Sequence, residues 1–90
     1  MKSTYRLLKL DRPATYLIQL IGRLDKGWSK HFGGMTITHE SLEDGTKITQ
    51  MIGLVPDQAG LHGMLHSIRD LGLPLLKVEY LPGREKSDQI

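Results

Sequence analysis

Two histidines four residues apart, His62 and His66, are the residues here whose type and spacing most resemble a metal site. On a helix, side chains at i and i+4 share one face, so two imidazoles could reach one zinc-like ion. A third ligand would have to come from His31 or His39, and nothing in the sequence brings either near the pair. We therefore predict no metal site and no cofactor, and we interpret His66 and Asp70 as an exposed pair on one helix face.

The sequence also lacks the motifs that covalent catalysis requires. The chain has no cysteine, which excludes thiol catalysis, disulfides and cysteine-type metal centres. Its serines lie outside any nucleophile-elbow motif, and Gly33-Gly34 precedes a strand pattern instead of the helix that a phosphate-binding loop requires. We predict no catalytic residue. The candidates for binding a ligand are Trp28, His31, His39 and His62, whose rings can stack on a flat molecule or exchange hydrogen bonds with it.

A second group of candidates consists of the small residues Gly60, Gly63 and Ser67, which share another face of the same predicted helix. Glycine inside a helix costs about 1 kcal/mol relative to alanine, so two of them call for a compensating reason. Close packing supplies one, either against a short helix that carries Trp28 and Phe32 or against the same helix of a second copy. A gap left for a ligand is the third alternative.

The elements that must position these residues follow from periodicity and from cap residues. The pattern predicts strands at 15–24, 35–40, 46–55 and 75–81, a short helix between Asp25 and Gly33, and a long helix between Asp57 and Gly72. An Asp-Gly pair within 41–46 predicts a hairpin turn. The apolar stripe of the long helix contains Leu61, Met64, Leu65, Ile68 and Leu71.

This order predicts an α+β domain of the ferredoxin-like βαββαβ type, with an antiparallel sheet and one short and one long helix on one face. We expect the short helix to bury both Trp28 and Phe32 in the core. The second face of the sheet must be exposed to solvent or covered by a partner. Leu17, Ile21, Met51 and Leu75 indicate a partner.

Length and charge set further limits. Ninety residues predict one small domain at 15–82, preceded by an arm or edge strand at 1–14 and followed by a polar tail at 83–90. Small cores often gain stability by pairing, so a homodimer is expected. A net charge of +2 gives little support for nucleic-acid binding. No segment has the length and apolarity of a membrane span or a signal peptide, which predicts a cytoplasmic protein.

Two stretches carry a family resemblance: "GRLDKGWSKHFGGMTIT" at 22–38 and "DQAGLHGMLHSIRDLGLPLLKV" at 57–78. Together they resemble a family of short hypothetical bacterial proteins with a GxLDxxWS, GMxIT, DQAxLHG and DLGLPLL pattern. The resemblance implies a cytoplasmic bacterial protein and no residue roles, and His62 falls within the pattern. The stretch from Leu54 to Leu81 also resembles the strand–helix–strand unit of ACT domains, which bind amino acids between paired subunits. Pro56, Asp57, Gly60 and Leu61 carry that second likeness.

These observations favour a homodimeric, non-catalytic binding or interaction module, with a small-molecule ligand possible. One alternative is a cofactor-free enzyme of the dimeric α+β barrel type, whose interface cleft would use His31, His39 or Trp28. The other is an ACT-like regulatory module that binds an amino acid.

Overall fold

The computed structural model describes residues 12–82. Its elements are β1 (Ala14–Ile21), a 3₁₀ helix (Lys26–Phe32), β2 (Thr36–Ser41), β3 (Lys47–Val55), α1 (Gln58–Asp70) and β4 (Leu75–Tyr80). The predicted arm or edge strand at 1–14 falls mostly outside the described residues, and the predicted tail at 83–90 falls wholly outside them. Within 12–82, no helix has the length and apolarity needed to cross a membrane.

The four strands form one antiparallel sheet in the order β2-β3-β1-β4. The two central strands pair along their full lengths, with Ile18 opposite Met51 and Gln19 opposite Gln50. The predicted Asp-Gly hairpin joins β2 to β3: the N–H of Gly45 donates to the carbonyl of Leu42 over 2.9 Å, and Gly45 has a φ of 90°. This turn sets the register of β2 against β3.

The core lies on one face of the sheet. Tyr16, Ile18 and Leu20 of β1 point into it, as predicted, and both the 3₁₀ helix and α1 cover it. Met51 also belongs to this core, with 0% of its surface exposed. The prediction that Met51 faces a partner was therefore wrong. Alternation along β3 defines two faces but does not say which of them the helices cover.

The first helix departs from the prediction in type and in burial. Asp25 caps it as expected, with Oδ2 accepting from the N–H of Gly27 over 3.1 Å, and Gly33 ends it with a φ of 71°. Its seven residues form a 3₁₀ helix, so the strict βαββαβ order is not met, while the α+β class with two helices is confirmed. Phe32 is buried, whereas Trp28 is 36% exposed and does not join the core.

The long helix α1 begins and ends close to the predicted residues. Asp57 caps it through a 2.7 Å hydrogen bond that its Oδ1 accepts from the N–H of Gly60. Leu61 and Ile68 are buried, while Met64 and Leu65 pack at the edge of the core. Leu71 is exposed, because the helix has ended at Asp70 and the chain turns away at Gly72, where φ is 79°.

The edge strand β4 pairs with β1 and contains a register shift. Gln19 pairs with Lys77 and Leu20 pairs with Leu75, so Leu76 is the extra residue of a bulge. The strict alternation predicted from Leu76 onward therefore starts only after this residue. Both sides of β4 remain largely exposed.

Candidate functional site

A groove of about 410 Å³ runs between the 3₁₀ helix, the end of β3 and the first half of α1. Its lining is His31, Phe32, Gly33, Leu54, Pro56, Gly60, Gly63, Met64 and Ser67. The volume falls within the range of small-molecule sites. Four of the seven residues singled out from the sequence meet here, which makes this groove the candidate functional site.

One wall of the groove is aromatic. The imidazole of His31 stands edge-on to Trp28 and to Phe32, with ring centroids 5.3 Å and 4.9 Å apart. The hydroxyl of Ser29 donates to the carbonyl of Met35 over 2.6 Å and ties this helix to the start of β2. Because Phe32 is buried beneath it, the His31 ring rests on a fixed base. Trp28 supports the ring and is not itself among the lining residues.

The opposite wall is the small face of α1. A Cβ added to Gly63 would meet no atom of the described residues within 4 Å, so residues 12–82 supply no close packing at this position. A Cβ at Gly60 would approach only Asp57 and Pro56, which start the same helix. Ser67 continues this wall, and no residue within 12–82 takes a hydrogen bond from its hydroxyl. Gly63 therefore leaves space along α1, whereas Gly60 lets Asp57 and Pro56 lie close to the helix.

His39 lies apart from the groove. It borders a smaller depression of about 120 Å³ together with Arg23 and Glu40. Its Nε2 lies 2.6 Å from the carbonyl oxygen of Leu24, and since a carbonyl can only accept, we infer that Nε2 carries the proton. His39 thus holds the loop after β1 in place. The structure does not bring His31 and His39 into one site.

The two histidines of α1 lie outside the groove as well. His62 is exposed, and His66 Nε2 lies 3.9 Å from Asp70 Oδ2 on the helix surface, as the spacing predicts. Exposed pairs of this kind contribute little to stability. Among residues 12–82, no three histidine or carboxylate side chains come together in a way that could hold a metal ion.

The apolar floor of the groove was not anticipated from the sequence. Leu54, Pro56 and Met64 complete it. The sequence pattern assigns Leu54 to a strand, Pro56 to a helix start with an ACT likeness, and Met64 to the core stripe. Leu54 is 44% exposed at the end of β3, where the paired strand β2 has not yet begun. An exposed leucine next to a helix start is a weak signal, and only the fold places it beside His31.

Residues 15–79 match the model of a family described as Domain of unknown function (DUF8691). The chain belongs to this family. The match runs from β1 into β4 and therefore includes every element that builds the groove. The match agrees with the predicted membership of an uncharacterised family. It does not confirm the quoted sequence pattern or the likeness to ACT domains. No curated protein and no solved structure significantly matches the chain.

Proposed function

We propose that this protein is a homodimeric, non-catalytic module that binds a small ligand in the groove between the 3₁₀ helix and α1. The observation that carries the proposal is the open space over Gly63. Glycine lowers the stability of a helix relative to alanine, and among residues 12–82 no packing contact at Gly63 offsets that cost. A ligand that occupies this space would explain the glycine at position 63.

The lining indicates the chemistry of the ligand. Phe32, Leu54, Pro56 and Met64 offer apolar contacts, while His31 and Ser67 are the polar side chains along the groove. A flat, mostly apolar molecule with one hydrogen-bonding group fits this combination. The two alternatives have only part of their residues here: His31 of the enzyme alternative lines the groove while His39 lies elsewhere, and Pro56 and Gly60 carry the ACT likeness.

Titration of the ¹⁵N-labelled full chain with indole and benzoate at millimolar concentrations tests the proposal. We expect shift changes at His31, Gly63 and Ser67. Gly63→Leu should abolish them by filling the groove. Ala59→Leu is the matched control, because Ala59 is an exposed residue of α1 that does not line the groove. Equal binding by both variants, or shift changes confined to another surface, would show that the groove is not the site.

We regard the domain as a variant of the ferredoxin-like fold, because the strand–helix–strand units both pass over one face of the sheet. The first of these units uses a 3₁₀ helix. The cytoplasmic location and the bacterial origin remain predictions from the sequence.

A further inference from the structure

The outer edge of β4 is the most apolar open edge of the described sheet. Leu75 is 49% exposed, Leu76 is 50% exposed and Val78 is 37% exposed. The order β2-β3-β1-β4 leaves one side of β4 without a neighbouring strand among residues 12–82. An exposed apolar edge is a template for pairing with another strand, and stable proteins cover such edges or use them.

We propose that a second copy of this chain pairs with β4 in antiparallel fashion, across a two-fold axis that passes beside Val78. This inference rests on the homodimer of the proposed function and names its interface. In this register Val78 lies opposite the partner subunit's Val78, and the two four-stranded sheets become one. A two-fold axis makes every contact occur twice.

The backbone of β4 is arranged for this register. The N–H of Leu81 donates to the carbonyl of Thr15 over 2.9 Å, and the paired residues continue in step to Lys77 opposite Gln19. Peptide groups in an antiparallel strand alternate in direction, so those of Lys77 and Glu79 face β1 while that of Val78 faces the open edge. Val78 can therefore exchange two hydrogen bonds with the partner subunit's Val78.

The charges of β4 select the same register. Lys77 and Glu79 lie on one face, with Nζ 3.3 Å from Oε1. In the proposed pairing, Lys77 lies directly opposite the partner subunit's Glu79, and Glu79 lies opposite the partner subunit's Lys77. Opposite charges at directly opposed positions stabilise a strand pair, and like charges destabilise it.

Neighbouring registers are each disfavoured for a specific reason. If the two-fold axis moves by one residue along β4, Lys77 lies opposite the partner subunit's Lys77, or Glu79 lies opposite the partner subunit's Glu79. A further step brings Pro74 or Pro82 of the partner subunit opposite Val78, and proline has no N–H to donate. One symmetric register satisfies both the charges and the peptide groups.

The pairing also covers apolar surface beside the strand. A groove of about 470 Å³ lies between the end of α1 and the start of β4, and its lining includes Leu73 and Leu75. Val78 shares the helix-covered face of the sheet with Ile18. A second copy at this edge would extend that face and shield these side chains from water.

Multi-angle light scattering of the full chain over a range of concentrations tests the inference. The parent should be a dimer. Lys77→Glu and Glu79→Lys should each weaken dimerisation by roughly 10- to 100-fold, because each replaces two attractive contacts with repulsive ones. Both residues are exposed, so circular dichroism should show that both variants stay folded.

An equimolar mixture of the two variants supplies the decisive measurement. A pair with one chain of each variant places two glutamates opposite two lysines, so a heterodimer should form. The double variant Lys77→Glu/Glu79→Lys restores opposite charges at both positions and should dimerise like the parent. If the parent is monomeric, the homodimer itself is wrong. Another segment of the same chain that covers β4 would give this result. A dimer that neither single variant weakens would overturn this interface and leave the homodimer standing on another surface, such as the open sheet face.

Discussion

The hydroxyl of Thr49 donates a hydrogen bond to the carbonyl oxygen of Gly22 over 2.7 Å. The Oγ1 atom of Thr49 in turn accepts a hydrogen bond from the N–H of Leu24 over 2.9 Å. Thr49 is fully buried in β3, so one side chain holds the loop that leads from β1 into the aromatic helix. The position of His31 in the groove depends on this loop and on the cap at Asp25 that follows it.

Thr49→Val should lower the free energy of unfolding by about 1–3 kcal/mol, because it leaves the peptide groups of Gly22 and Leu24 without their partner. Urea unfolding followed by circular dichroism measures the change. Thr38→Val is the matched control, since Thr38 is exposed on the same sheet, and its effect should stay within about 0.5 kcal/mol. Equal effects of the two substitutions would contradict the role assigned to Thr49.

Gly63→Ala should raise the free energy of unfolding by about 0.5–1 kcal/mol, since alanine favours the helix and its Cβ meets open space. The expected rise in Tm is roughly 2–8 °C for a domain of this size. Gly53→Ala should act in the opposite sense and cost about 1–3 kcal/mol, because its Cβ would lie 3.0 Å from the Cα of Met35. A Gly63→Ala variant less stable than the parent would reveal a packing contact at that position.

The β2–β3 hairpin should weaken in acid. Hydrogen bonds from the side chain and then from the backbone N–H of Thr46 lower the pKa of Asp44 below the ordinary aspartate value. A lowered pKa in the folded state contributes stability above the unfolded value, near pH 4, and this contribution is lost as pH falls through the lower folded value. An NMR titration of the Asp44 carboxyl carbon should show the low midpoint, and the Thr46 amide should shift with it. A midpoint at or above the ordinary value would refute the prediction.

Local features of the sequence predicted most of the fold. Asp25 and Asp57 mark the starts of the two helices, the Asp-Gly pair marks the hairpin, and the alternation of Tyr16, Ile18 and Leu20 marks the buried face of β1. Each depends on residues that are close in the chain, so the pattern alone carries the information. The bulge at Leu76 has no such local mark, because it arises from the pairing of β4 with β1.

The site depended far more on the tertiary structure. The sequence by itself determined that His31 lies in a short capped helix and that Gly60, Gly63 and Ser67 share a helix face. Only the packing of these elements decided that they meet across a groove, that His39 is held elsewhere by Leu24, and that Met51 faces the core. The physical reason is that a periodic pattern defines faces, whereas burial and proximity depend on which distant segment each face meets.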